Sequence, residues 1–122
     1  MRNVKRITNV IAVVGASVVL LLGMPATAAH AATYQGCPDG WVCLYPQDAG
    51  WNGGHPSHMW YYYGSYDLSN QFGNHRFFNN QTDGAKAWTC LNYGGVNCPT
   101  YQPAGTWWDY NFTPINSVKL TP

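Results

Sequence analysis

Past residue 31 the chain alternates between short apolar stretches and clusters of Gly, Pro, Asn, Ser and Asp, and no stretch holds a helical period. The earlier part reads differently. Arg2, Lys5 and Arg6 precede an apolar run from Val10 to Met24, and Ala29-His30-Ala31 follows it. A positive start, an apolar middle and small residues at −3 and −1 form the pattern of a secretory signal peptide, so residues 1–31 are expected to be removed on export. The run is shorter than the roughly 20 apolar residues a spanning helix needs. The remaining chain, residues 32–122, has room for one domain.

Within it, aromatic and β-branched residues fill the gaps between turn signals, the composition of strands. The expected strands are Val42–Tyr45, His58–Tyr63 (bounded by Gly64), Arg76–Phe78, Ala85–Leu91, Thr106–Tyr110 and Ile115–Leu120. Many short strands with frequent turns predict an all-β sandwich or barrel.

One phrase occurs twice. Trp41-x-Cys43-Leu44 returns 47 residues later as Trp88-x-Cys90-Leu91. Each copy is expected to open one half of the domain, about 37–86 and 87–122. Residues 83–87 can be laid against residues 116–120 as matching closes of the two halves. Two small Greek keys, neither able to bury a core alone, would pack face to face and share one.

Charge narrows the choice of partner. Beyond residue 31 the basic residues are Arg76, Lys86 and Lys119, against Asp39, Asp48, Asp67, Asp83 and Asp109, a net charge of −2 with His neutral. The +1 of the full chain comes from residues 1–31. A weakly acidic surface gives no reason to expect nucleic acid or anionic membrane as partner. The four cysteines, Cys37, Cys43, Cys90 and Cys98, read as two disulfides in an oxidising compartment. Three pairings are open; the local ones, Cys37–Cys43 and Cys90–Cys98, are favoured. The C-x5-C and C-x7-C spacings fit poorly with the two-to-four-residue gaps of structural zinc sites.

The string CPDGWVCLY, followed by Trp51-Asn52-Gly53-Gly54, resembles the opening of secreted actinobacterial metalloproteinase inhibitors with a βγ-crystallin-like fold. Cys90-Leu91 matches their second Cys-Leu strand and Asn116-Ser117-Val118 their closing strand. The turn after Tyr45 is one residue longer than is usual there, and Cys98-Pro99-Thr100-Tyr101 replaces the usual aromatic-Gly turn of the second half. The resemblance implies a secreted monomeric inhibitor whose partner is a secreted metalloproteinase. Its reactive bond would lie in a small disulfide loop, between a Cys and an aliphatic residue. Carried onto this chain, the loop is Cys90 to Cys98, with Cys90-Leu91 as the bond and Asn92, Tyr93 and Val96 as further contacts. A loop held rigid by a disulfide binds at little entropic cost, and thermolysin-type enzymes favour a bulky apolar residue after the cut bond. Leu91 as a core strand residue is the competing reading.

Two other chemistries are open. Crystallin-type calcium sites use an Asn/Asp-Asn/Asp-x-x-Ser/Thr-Ser run of oxygen ligands. Asn79, Asn80, Thr82 and Asp83 fit it in part, and an Asn-rich turn is the plainer alternative; no other cofactor is expected. Trp60, Tyr61, Tyr62 and Tyr63, with Trp51, Trp107, Trp108 and Tyr110, could form a stacking face for sugar rings or an apolar interface. Aromatics used as core filler would explain them equally. Catalysis is not expected. The chain has no Glu, and His55, His58 and His75 come without a third metal ligand or a paired carboxylate.

Overall fold

A computed structural model describes residues 32–122, and the expected signal segment lies outside the described residues. The strands are β1 (Val42–Leu44), β2 (His58–Trp60), β3 (Gly64–Asp67), β4 (Asn74–Asn79), β5 (Lys86–Cys90), β6 (Thr100–Gln102), β7 (Thr106–Asn111) and β8 (Ser117–Thr121). They form two antiparallel four-stranded sheets, ordered β2-β1-β4-β7 and β3-β8-β5-β6. The all-β expectation therefore holds. No helix among the described residues is long and apolar enough to cross a membrane.

The strand order interleaves the halves. β3 leaves its neighbours to pair with β8, and β7 leaves its own to pair with β4. Between the sheets lies one core, with Val42, Leu44 and Phe77 from the first sheet against Ala87, Val118 and Leu120 from the second. Leu68, Phe112 and Ile115 close its ends. Each such side chain stabilises by roughly 1.5–3 kcal/mol when fully buried, and neither half holds enough of them alone.

A second, smaller cluster covers the outer face of the first sheet. Cys37, Cys43, Tyr45 and Phe78 are buried there, with Trp41 and Trp51 packed over them. The segment before β1 is held down by the Tyr34–Cys37 bridge and the Cys37–Cys43 disulfide. Asn80 secures it further, its Nδ2 donating to the carbonyls of Ala32, Cys37 and Pro38. β1 is consequently buried on both faces.

Three sequence expectations need correction. The strand over His58–Tyr63 stops at Trp60, and Tyr61–Tyr63 form a bend that carries the chain to the other sheet. The match of residues 83–87 to 116–120 also fails: residues 86 onward begin β5, which pairs with β8 as Ala87 opposite Leu120. The strand standing where β8 stands in its half is β4. Lastly, Leu91 lies just past the end of β5 and is 37% exposed, so it is not a core strand residue.

Candidate functional site

The two copies of the repeated phrase diverge at their disulfides. Cys43 bonds backward to Cys37, whereas Cys90 bonds forward to Cys98. The backward bond folds chain over the outer face of β1 and seals Cys43 there, while Leu44 is fully buried in the core between the sheets. The forward bond closes a loop beyond β5 and leaves the second Leu at the surface.

That loop is braced from beneath. Across its neck, the Leu91 N–H donates to Asn97 O (2.9 Å) and the Asn92 N–H to Val96 O (3.2 Å). Three successive carbonyls are held by the strand approach to β8. Cys90 O accepts from the Asn116 N–H (2.9 Å), Leu91 O from Asn116 Nδ2 (2.8 Å) and Asn92 O from Ser117 Oγ (2.6 Å). At the tip, the Gly94 N–H donates to Asp67 Oδ1 and the Gly95 N–H to Ser117 Oγ. Gly95 has φ +71°, and a Cβ there would come within 2.7 Å of the Ser65 Cβ, so only glycine lets the loop settle on β3. Leu91, Tyr93 and Val96 are exposed apolar side chains of the loop, with the polar Asn92 and Asn97 exposed among them. A fixed backbone with outward apolar side chains suits a protein partner's pockets more than it suits catalysis.

Of the four residues considered for calcium, Asn79 and Asn80 spend their side chains on structural hydrogen bonds. Asn79 is fully buried, its Nδ2 donating to Ala85 O (3.0 Å) and Gln102 O (2.7 Å). Its Oδ1 accepts from both the backbone N–H and Nε2 of Gln81. Asn79 thus ties β4 to β6 of the opposite sheet, and Asn80 holds the first segment as described above. Thr82 and Asp83 lie on the turn between β4 and β5, where the Ala85 N–H donates to Thr82 O and Asp83 has φ +58°. Among the described residues, no three of His, Cys, Asp and Glu gather as metal ligands.

The aromatic residues separate into three groups rather than one face. Trp60 packs against the inter-sheet core, stacked on Tyr66 at 5.9 Å, and Tyr110 packs there too. Trp51 and Trp107 meet edge to face on the outer face of the first sheet and both contact the Arg76 guanidinium, 4.8 and 4.0 Å from their ring centroids. Tyr61, Tyr62 and Tyr63 stand exposed at the bend after β2. The histidines also part company. His55 is exposed, His58 lies on β2, and His75 is buried with its ring nitrogens 2.7 Å from Tyr45 O and 3.0 Å from Phe72 O.

Sequence reasoning missed the supports of the loop. Asn116 and Ser117 carry only the signature of a closing strand, and nothing in their identities announces that they brace a loop 25 residues earlier. Asp67 and Ser65, on an unforeseen strand, carried no signal at all. No protein-family model, curated protein or solved structure matches this chain.

Proposed function

We propose that the chain is a secreted, monomeric inhibitor of a metalloproteinase, carried on a βγ-crystallin-type pair of Greek keys. The scaffold reading is supported by the interleaved strand order, in which each half lends its third strand to the other's sheet. The inhibitory reading rests on one observation above all: Leu91 is exposed while the carbonyls on either side of it are pinned from below by Asn116.

The mechanism follows from that geometry. Leu91 enters the apolar pocket that receives the residue after the cut bond. Cys90 is fully buried and its carbonyl is held by the Asn116 N–H, so the bond would have to be drawn out of this braced neck before an enzyme's catalytic groups reached it, which slows attack. If water does cleave the amide, a carboxylate forms on Cys90 and an amine on Leu91. The Cys90–Cys98 disulfide and the Asn116 contacts keep both new ends in place, so the cleaved form does not leave the enzyme. Preorganisation of this kind converts contact area into affinity.

Titration of the oxidised protein against a thermolysin-like metalloproteinase tests the proposal. Stoichiometric inhibition is expected, and Leu91→Gly should raise the inhibition constant roughly a hundredfold, as loss of a central anchor does. An unchanged constant in a folded Leu91→Gly protein would sink the loop mechanism.

A further inference from the structure

A second concave site lies apart from the Cys90–Cys98 loop and shares no residue with it. The tyrosine bend after β2 faces the turn between β4 and β5, and together they wall a cavity of about 270 Å³. Its apolar side is built from Tyr61, Tyr62 and Tyr63, exposed by 48%, 76% and 58%. Three adjacent aromatic rings left this open, in a domain with few aliphatic residues to fill its core, are unexplained by folding. The polar side is Gln81, Thr82 and Asp83.

Both walls are fixed before any ligand arrives. Tyr61 packs on Trp41 with ring centroids 5.4 Å apart. Gly40, at φ +90°, lies under the same ring, and a Cβ there would come within 3.1 Å of it. Tyr66 donates its hydroxyl hydrogen bond to Tyr62 O at 2.6 Å, which pins the bend. On the other wall Gln81 is 5% exposed, with Nε2 committed to Asn79 Oδ1 and Lys86 O. Its carboxamide oxygen is then the atom it has to offer the cavity.

We infer that this cavity binds a neutral pyranose residue of a polysaccharide. A pyranose has an apolar C–H face and a rim of hydroxyls. Aromatic rings complement the face, and planar groups such as the Asp83 carboxylate and the Gln81 carboxamide can each engage hydroxyls of the rim. No Lys or Arg lines the cavity, so nothing there would compensate an acidic sugar. The volume is below the roughly 300–1,000 Å³ of sites for drug-sized ligands, which fits a single ring and not a long segment.

Calorimetric and NMR titration of the oxidised protein with cellotriose, chitotriose and mannotriose, with choline alongside, tests the inference. At least one trisaccharide should bind saturably at about millimolar concentration and shift the tyrosine ring signals. Tyr62→Ala and Asp83→Gly should each weaken that binding about tenfold. Both changes suit their sites, because Tyr62 is exposed and glycine accepts the positive φ of Asp83. Leu91→Gly should leave sugar binding unchanged, which separates this site from the inhibitory loop. Absence of saturable binding to all three sugars overturns the inference. So does binding that neither variant weakens. Choline binding that Asp83→Asn abolishes, without sugar binding, would make the site a cation cage instead.

Discussion

Arg76 and Asp109 sit directly opposite one another on β4 and β7, and the guanidinium donates two hydrogen bonds to the carboxylate, Nε to Oδ1 and Nη2 to Oδ2, each 2.8 Å. The same guanidinium lies against both the Trp51 and Trp107 rings, which themselves meet edge to face with centroids 5.1 Å apart. A lysine cannot reproduce a planar fork that holds a carboxylate and contacts two rings at once. Arg76→Lys should therefore cost about 1–2 kcal/mol in urea unfolding at neutral pH, from the exposed ion pair and two cation–π contacts together. Hydrogen bonding from Arg76 holds the Asp109 carboxyl below its ordinary value of 3.8. Its contribution is present above that value and is lost as pH falls through the lowered one. The gap between wild type and Arg76→Lys should narrow under strongly acidic conditions.

Tyr45 sets an alkaline limit. Burial pushes its phenol from 10.0 up to about 12, against the opposing pull of the Arg76 charge. The folded state disfavours the phenolate, so this stability is complete below pH 10 and is lost as pH rises from 10 to about 12. Tyr45→Phe should flatten that decline. It should also cost about 1 kcal/mol at neutral pH, because the hydroxyl donates to Gln35 O. Denaturant midpoints followed across the alkaline range check both.

His58 sets a milder acidic limit. Burial, and secondarily the charge of His75, lower it below the ordinary 6.5. The unfolded chain takes the proton first, so stability is complete above pH 6.5 and declines as pH falls below it. His58→Gln should reduce that decline in melting temperature between about pH 7.5 and pH 5.

Asn79→Ala should destabilise by about 3 kcal/mol. It leaves the Ala85 and Gln102 carbonyls and the Gln81 N–H without their buried partner. Chemical unfolding monitored by near-ultraviolet circular dichroism reads this directly.

The double variant Cys90→Ser with Cys98→Ser should lose about 2–3 kcal/mol of stability, the value of a small closed loop. If the loop is the inhibitory element, inhibition should fall by much more than that loss of folded protein explains. Asn116→Ala should weaken inhibition about tenfold through the unbraced Leu91 carbonyl, while the Cys90 carbonyl keeps its backbone partner at residue 116. Inhibition constants measured beside melting curves separate the two effects.

The elements legible in the sequence were those rich in large apolar or aromatic residues. Val42-Cys43-Leu44, Phe77-Phe78 and Val118–Leu120 are core strands, and the aromatic stretches at Thr106–Tyr110 and His58–Trp60 read as strands although they are edge strands with no buried residue. β3 and β6 did not, since Gly64-Ser65-Tyr66-Asp67 and Thr100-Tyr101-Gln102 are edge strands with one or no large apolar side chain turned inward. The aromatic run hid a strand end: four consecutive large rings look like continued strand, whereas the backbone turns after Trp60. The closing of the loop by Cys90 and Cys98 was the favoured one of three pairings that the sequence left open. The loop's rigidity could not be read, because the groups that supply it, Asn116, Ser117 and Asp67, are distant in sequence and ordinary in type.

The opposite senses of the two disulfides give the halves different tolerances to change. Around Cys43 a substitution is met at once by packed neighbours on both faces, so variation there is a matter of survival. Around Cys90 the side chains at positions 91, 93 and 96 are exposed. A library varied at those three positions, with the braces at Asp67, Asn116 and Ser117 kept, should yield folded proteins throughout; under the inhibitory proposal its members would differ only in the protease they hold. The two copies of the phrase thus part at their last residue, Leu44 locked into the core and Leu91 open to exchange.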